Sequence, residues 1–322
     1  MADTMRAIAI GEGASVSAQE TARPVAGAGD VLIRVAYAGI NRADLLQRRG
    51  MYPVPAGAST IMGLEVSGIV DSVGGGVTRW KKGDQVCALL AGGGYAEYVA
   101  APEGSVLPLP VGVSLEQAGA LVESTFTVFA NVFELGALKP GETLLIHGGA
   151  SGIGVIGIQM GVAHGAKVFS TAGDDAKCKL VSDLGARAIN YRTQDFEAIL
   201  KEAGGVDVVL DMVGGSYMQK NINIAKFGGR IVNIAHLNGS KTEVDFMPVM
   251  RKHLVITGST IRARPVAEKA RLAREVEKIV WPWIAAGKVK AVIDSVYPLE
   301  EIEAAHARMI ANKNAGKILL KM

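Results

Sequence analysis

Twenty-four consecutive residues, Thr143–Ala166, carry no Asp, Glu, Lys or Arg, and glycines fall among them at 148, 149, 152, 154, 157, 161 and 165. A run this long and uncharged must be buried in protein or in lipid. The clustered glycines and the two histidines, His147 and His164, argue against a membrane span. They divide the run into a short apolar strand, a glycine turn and a buried helix. A strand that ends in Gly149, Gly152 and Gly154 and then opens a helix is a site for a dinucleotide. Glycine lets a pyrophosphate approach the backbone, and the unpaired N–H groups of the helix start favour its charge. Glycine spacing alone is weak evidence; the flanking strand and helix make it specific.

The neighbouring sequence repeats that alternation. Apolar strand candidates begin near Thr143, Lys167, Ala188, Val206, Gly229 and Leu254, with helix-length segments between them. Six strands so spaced predict a doubly wound parallel α/β sheet. The part before residue 120 has a different texture. Short runs at Met5–Ile10, Val31–Ala36, Val66–Val73, Gln85–Leu89 and Ala96–Ala100 are separated by turn signals such as Gly74-Gly75-Gly76 and Lys82-Gly83-Asp84, which predicts a small, irregular barrel-like β domain. The tail offers an amphipathic helix (267–286), a strand (292–297), a helix (299–311) and a last strand (317–320). It lies past the sixth strand, so it is expected to return to the first domain.

Composition removes other classes. Cys87 and Cys178 are the only cysteines, too few for a disulfide framework or a cysteine-rich zinc lobe. The formal charge of +3 is spread along the chain, so neither a nucleic-acid nor a membrane partner is expected. The four-residue apolar run between Arg6 and Gly11 is too short for a signal-peptide core, and a cytoplasmic location is expected. The five histidines show no ligand spacing. Cys87 reads as core. Lys177 and Lys179 beside Cys178 could favour its thiolate, a weaker reading. Trp281-Pro-Trp283 reads as packing or an oligomer contact, and Met247, Met250 and the basic run 262–271 as surface or helix-end features.

The end of the second strand selects the dinucleotide. An NAD site presents Asp or Glu there for the ribose 2′-hydroxyl; here Ala172 or Gly173 takes that place. Asp174 and Asp175 come too late and read as helix caps. Lys177, one helical turn on, can pair with a 2′-phosphate. NADPH is the expected cofactor.

With these motifs in hand, the chain resembles the zinc-free quinone oxidoreductase branch of the medium-chain dehydrogenase/reductase superfamily, and within it the tumour-suppressor-inducible quinone oxidoreductase subgroup. The resemblance spans nearly the whole chain and rests on Ala38–Asp44, Gly50–Pro55, Gly63–Gly68, Gly83–Val86, His147–Gly154, Asn190–Arg192 and Asn314–Leu319. It implies a Rossmann NADPH-binding domain (122–261) inserted in a mainly-β GroES-like catalytic domain (1–121 plus 262–322), with the nicotinamide in the cleft between them. It further implies Ser151, Gly152, Ile153 and Gly154 at the pyrophosphate, and Gly173, Lys177 and Tyr191 around the 2′-phosphate. Ile234, Ala235, His236, Ser259, Thr260 and Asn314 would line the nicotinamide pocket, with Asn41 and Tyr52 facing nicotinamide and acceptor. Zinc-dependent relatives place Cys and His where this chain has Asn41 and Leu64, and Val122-Glu-Ser-Thr125 supplies no third cysteine, so no metal is expected. Glu65, lacking a metal partner, is expected to hydrogen-bond backbone inside its own turn.

Without a Lewis acid, the expected acceptors are those that need little polarisation: quinones, or activated enones. Orientation against the cofactor then supplies most of the catalysis. Tyr52, Asn41 and Ser151 are the candidates for polarising the acceptor or donating a proton. Tyr52 could equally anchor its loop and Asn41 could cap a short helix; Ser151 suits phosphate better than catalysis, and Asp44 suits orienting a neighbour. An NADPH:quinone reductase is the leading reading. The alternatives are an alkenal/enone reductase on the same scaffold and a low-turnover NADPH-binding structural or sensor protein. A homo-oligomer, dimer or tetramer, is expected.

Overall fold

The computed structural model describes residues 3–322. Along the chain the strands are β1 (Thr4–Ile10), β2 (Val16–Ala22), β3 (Asp30–Ile40), β4 (Glu65–Val73), β5 (Gln85–Leu89), β6 (Tyr98–Pro102), β7 (Val106–Pro108), β8 (Thr143–Ile146), β9 (Lys167–Ala172), β10 (Arg187–Asn190), β11 (Val206–Asp211), β12 (Ala225–Asn233), β13 (Val255–Gly258), β14 (Ile293–Pro298) and β15 (Lys317–Lys321). They fall into two compact units. The first holds the chain up to Phe126 with Ile261–Ala286 and Ala291–Met322; the second holds Thr127–Thr260 and Gly287–Lys290.

The first unit is mainly β and GroES-like. Its sheet runs β14-β15-β3-β4-β5-β7, with β6 also on β3 and a separate β1–β2 hairpin. Alternating residues of β3 (Val31, Ile33, Val35), with Val66, Val86, Ile318 and Leu320, form one buried core, as the period-2 pattern requires. The tail does return here: β15 pairs antiparallel with β3 in the register Ile318↔Ile40 and Leu319↔Gly39. That register carries Lys317 to Asn41. The β3–β4 register, Ala38↔Val66, brings Glu65 to the same point.

The second unit is a six-stranded parallel sheet in the order β10-β9-β8-β11-β12-β13, the doubly wound arrangement in which the chain reverses direction across the sheet beside β8. Leu145, Val209 and Ile231 of its strands are fully buried with Phe196, Leu200 and Ile222 of its helices. The uncharged run becomes β8, a turn and the helix Gly152–His164, and among the described residues no helix is long and apolar enough to cross a membrane.

Several local expectations shift. β2 was not legible: Val16-Ser-Ala-Gln-Glu-Thr-Ala22 is mostly exposed and polar, and becomes a strand by pairing with β1. The strand expected at 96–100 lies at Tyr98–Pro102, with Ala96 making only an isolated bridge to Ala7. The helix expected at 299–311 starts as a 3-10 turn, Leu299–Glu301.

Candidate functional site

In the second unit the glycine turn is held from behind. His147 directly follows β8 and is fully buried. One ring nitrogen meets Thr171 Oγ1 at 3.1 Å and the other Asn221 Oδ1 at 2.9 Å. Asn221 Nδ2 donates to Asp211 Oδ2 at 3.1 Å, and Thr171 Oγ1 accepts from the Gly148 amide at 3.2 Å. Burial pulls the His147 imidazole below its usual pKa despite Asp211, which favours the neutral ring. The turn closes on itself: a Cβ at Gly154 would stand 2.3 Å from the Gly148 carbonyl oxygen and 2.6 Å from Gly149 Cα. Ser151 caps the helix, its Oγ accepting from the Gly154 amide at 3.0 Å with Met212 Sδ at 3.7 Å. Gly152 and Ile153 begin the helix, where amides have no upstream helical partner. Ser151, Gly152, Ile153 and Gly154 thus form one tight turn at a helix start, an arrangement that could hold an anion.

At the end of β9, Gly173 lies against Tyr191: a Cβ there would be 2.6 Å from the tyrosine hydroxyl. Neither following acid takes the place of a ribose ligand. Asp174 caps the next helix by accepting from the Lys177 amide at 2.8 Å, and Asp175 accepts from Asn190 Nδ2 at 2.9 Å. Lys177 is half-buried on that helix's first turn. The donor set therefore fits a 2′-phosphate: an exposed phenol and a lysine ammonium, with both nearby carboxylates engaged elsewhere.

Ile234, Ala235, His236, Ser259 and Thr260, past the ends of β12 and β13, line one open pocket of about 580 Å³. Ser259 Oγ donates to Asn131 Oδ1 at 2.8 Å, and Asn131 Nδ2 donates to Thr127 O at 2.8 Å. Asn131 sits in a π-helical segment, Phe129–Leu135. Such segments are often found at functional sites, and no sequence signal marked this one.

In the first unit, Asn41 does begin a helix, Arg42–Arg48, but its side chain turns inward. Its Oδ1 accepts from Lys317 Nζ at 2.6 Å and its Nδ2 donates to Glu65 Oε1 at 3.0 Å. Lys317 Nζ also meets Glu65 Oε1 at 2.5 Å and Ser124 Oγ at 3.2 Å. Glu65 Oε2 accepts from the Glu123 amide at 3.0 Å. Glu65 does accept from backbone, but from Glu123 rather than from within its own turn as expected, and the same carboxylate forms a buried ion pair with Lys317. Asp44 positions this group. It accepts from the Asn41 amide (2.7 Å), the Gly63 amide (3.2 Å) and Tyr95 Oη (2.7 Å). Burial pushes its carboxyl up to about 6 against the pull of those bonds and of Lys317. Tyr52 is half-buried, its phenol pushed up by burial and then by Glu123. Asn314, on the loop before β15, donates from Nδ2 to Gly316 O at 3.0 Å.

These residues do not fit a zinc ion. Asn41 Oδ1 is taken by an ammonium, and Leu64 is buried and has no donor. Thiolate, imidazole and carboxylate are the ligands zinc prefers. Among the described residues no cluster of three His, Cys, Asp or Glu side chains is placed to hold a metal.

Two further readings change. The Cys178 thiol is pushed up, by burial and then by Asp175 and Asp174, so its lysine neighbours do not activate it. The basic run 262–271 is not all surface: Arg262 and Lys269 are 4% and 6% exposed. Cys87 is core, as expected, and Trp281 packs inward with its Nε1 donating to Pro108 O at 2.8 Å.

A GroES-like β unit together with a six-stranded nucleotide sheet defines an oxidoreductase of the medium-chain class, and comparison with known proteins agrees. Residues 27–111 match the alcohol dehydrogenase GroES-like domain family, and residues 184–320 a zinc-binding dehydrogenase family. Quinone oxidoreductase of Rattus norvegicus is 33% identical over 296 residues, covering 90% of this chain and 88% of the rat protein. The solved quinone oxidoreductase of Thermus thermophilus, known also in complex with NADPH, superposes with a TM-score of 0.85 at 28% identity, covering 99% of this chain and all of that one. The CurK enoyl reductase superposes equally well, with a TM-score of 0.85 at 26% identity, covering 99% and 100% of the two chains. The chain belongs to the medium-chain dehydrogenase/reductase superfamily, among its quinone oxidoreductase-like members.

Proposed function

We propose that this protein is a zinc-independent, NADPH-dependent oxidoreductase that transfers hydride to quinones, with 1–121 plus 262–322 as the catalytic domain and 122–261 as the cofactor domain. The observation that carries it is the cluster of Asn41, Glu65 and Lys317, which fills the metal-ligand place with a fixed ammonium and its carboxylate. An acceptor here must be one that needs no Lewis acid, and a quinone, which becomes aromatic on reduction, is such an acceptor. Bound NADPH supplies the hydride from C4 of its nicotinamide.

The chain's own residues then bind and orient. The helix start at Ser151, Gly152, Ile153 and Gly154 takes the pyrophosphate. Gly173, Lys177 and Tyr191 take the 2′-phosphate; the absence of an acid at the end of β9 supports this choice. Ile234, Ala235, His236, Ser259, Thr260 and Asn314 border the nicotinamide. Ser151, already a helix cap, serves the phosphates rather than the proton transfer. Asn41 and Tyr52 face the acceptor. The Asn41 amide is held in one orientation by Lys317 and Glu65, and the Tyr52 ring offers a flat apolar surface. The subgroup proposed is the tumour-suppressor-inducible one, a reading that rests on the motif resemblance as a whole.

The CurK enoyl reductase is structurally as close as the quinone enzyme, which keeps reduction of an enone as a second reading. Steady-state NADPH oxidation with 1,2-naphthoquinone and with 2-alkenals separates the two. Turnover of the quinone but not the alkenals is expected. Turnover of alkenals alone selects the enone reading, and NADPH binding with neither turnover selects a structural or sensor role. Stoichiometric zinc by elemental analysis would overturn the metal-free reading. A homo-oligomer is supported by β13, an edge strand whose Val255 and Ile256 are 49% and 37% exposed, since such edges pair readily with a second copy. Sedimentation equilibrium tests it.

A further inference from the structure

Arg262 stands out among the buried polar groups. It is 4% exposed. Its Nε donates to Ala91 O at 2.7 Å, and its own carbonyl accepts from Lys269 Nζ at 2.6 Å. The guanidinium carbon lies 5.2 Å from the centroid of the Tyr52 ring. Yet Nη1 and Nη2 are sealed from solvent and meet no acceptor among the described residues. Burial pulls this guanidinium down, with only Tyr52 and Asp44 opposing. A buried donor left without a partner is costly, and a buried cation more so. A satisfied pair would have been simple for the chain to supply, as Arg230 shows by meeting Glu142 with both ends of its fork.

The geometry of the fork indicates what completes it. The Ala91 bond fixes the guanidinium plane through Nε and leaves the two Nη groups as donors. Paired guanidinium donors suit an oxygen that carries or gains negative charge. The aromatic ring beside them is Tyr52, against which a flat conjugated molecule can lie. We propose that Arg262 binds the acceptor, its Nη1 and Nη2 donating to the carbonyl oxygen that becomes an oxyanion as hydride arrives. The inference rests on the reading of the protein as a hydride-transferring reductase of conjugated carbonyl compounds.

In that step the C4–H bond of the dihydronicotinamide breaks and its hydrogen leaves with both electrons, oxidising NADPH to NADP⁺. With a quinone the hydrogen bonds to one carbonyl oxygen, the other is left as a phenolate, and a solvent proton completes the hydroquinone. With an enone the hydrogen bonds to the β-carbon, and the oxygen becomes an enolate that is protonated on carbon by solvent. In both, the oxygen facing Arg262 gains a negative charge. A donor pair that is fixed before the charge develops stabilises that transition state more than the neutral ground state.

The test uses Arg262→Met and Arg262→Lys in the full-length protein. Loss of an oxyanion donor lowers kcat by roughly 100- to 1000-fold. Arg262→Met is expected to fall this far with 1,2-naphthoquinone, and Arg262→Lys to recover part of the loss. The NADPH dissociation constant, read by fluorescence titration, stays unchanged. The melting temperature falls by no more than the loss of the single Nε bond to Ala91 O, because the Nη groups have no partner in the chain to lose. A second measurement needs no turnover. 4-Nitrophenolate, an aromatic oxyanion, is titrated above its ionisation pH and followed by its absorbance shift, and Arg262→Met is expected to weaken its binding at least about tenfold. Unchanged turnover and unchanged phenolate binding in Arg262→Met overturn the proposal and leave the quinone-reductase reading standing. Weaker NADPH binding by the same factor as the loss in kcat also overturns it, in favour of a cofactor contact, and a lower melting temperature with phenolate binding intact overturns it in favour of a structural role. If the wild type reduces no acceptor but binds 4-nitrophenolate through Arg262, the reductase reading fails and the oxyanion site survives.

Discussion

Replacing Lys317 by methionine removes a charge that four groups share. Its ammonium lies 2.5 Å from Glu65 Oε1, 2.6 Å from Asn41 Oδ1, 3.2 Å from Ser124 Oγ and 3.9 Å from Glu123 Oε2, and the Lys317 and Glu65 side chains are 3% and 0% exposed. Breaking a buried pair from one side costs about 3–5 kcal/mol, because the remaining charge stays in the interior. Here Glu65 keeps its bonds to Asn41 Nδ2 and the Glu123 amide, both at 3.0 Å, which places Lys317→Met near the lower end, about 3 kcal/mol. Adding Glu65→Gln removes the nearer and more deeply buried of the two stranded carboxylates, so the double variant should recover roughly 1–2 kcal/mol of that loss. The assay is urea unfolding followed by tryptophan fluorescence. Trp80, Trp281 and Trp283 all lie in the first unit, so the signal reports on the unit that contains the pair. A loss below about 1 kcal/mol in Lys317→Met, or a double variant less stable than the single, would refute the claim that a buried ion pair holds Asn41 in place.

Further outcomes follow from the same geometry. Lys177→Ala should weaken NADPH by roughly 10- to 100-fold, the worth of a charged hydrogen bond, and spare NADH; equal losses in a paired titration would rule out a 2′-phosphate contact. Gly154→Ala puts a Cβ 2.3 Å from the Gly148 carbonyl, so the turn must open. A stability loss of about 3 kcal/mol with loss of NADPH binding is expected, and full binding would show that the turn need not be closed. Asp44 and His306 make opposed contributions to pH dependence. The Asp44 carboxyl is raised to about 6 from 3.8, so the folded state holds its proton longer than the unfolded one. Its ionisation therefore lowers stability as pH rises from about 4 to about 6, by roughly 3 kcal/mol. His306 is lowered to about 4 from 6.5, by burial and then by Arg48. Its folded ring sheds the proton early, so stability rises over nearly the same window. Asp44→Asn should leave the histidine slope exposed, giving a protein whose urea midpoint climbs between pH 4 and 6 relative to the wild type; parallel profiles for the two proteins would contradict this assignment.

Much of the fold was legible because its causes are local. Each of the six parallel strands is a short apolar run bounded by turns, and the turn at Gly148–Gly154 needs glycine where the backbone folds onto itself. The lack of an acid at the end of β9 was legible too, since Ala172 and Gly173 are read directly from the sequence. Readings failed where a polar residue's partner is distant in sequence. β2 looks like loop until β1 pairs with it. Glu65 looked like an acceptor within its own turn, yet its partners are Glu123 and Lys317, and the basic run from Arg262 looked like surface, because a sequence does not show which distant group faces a charge.

The sequence by itself determined that this chain builds a parallel nucleotide sheet with a glycine turn, and that it lacks zinc's ligands at 41 and 64. Strand periodicity, turn chemistry and residue identity are properties of neighbours along the chain. Only the tertiary structure decided what replaces those ligands. Lys317 reaches Asn41 across 276 positions because β15 pairs with β3 in one register, and a slip of one residue would turn the lysine to the other face of the sheet. Arg262 is buried against Tyr52 for the same kind of reason. Which charges are paired, and which are left to meet a ligand, is a property of packing between distant segments.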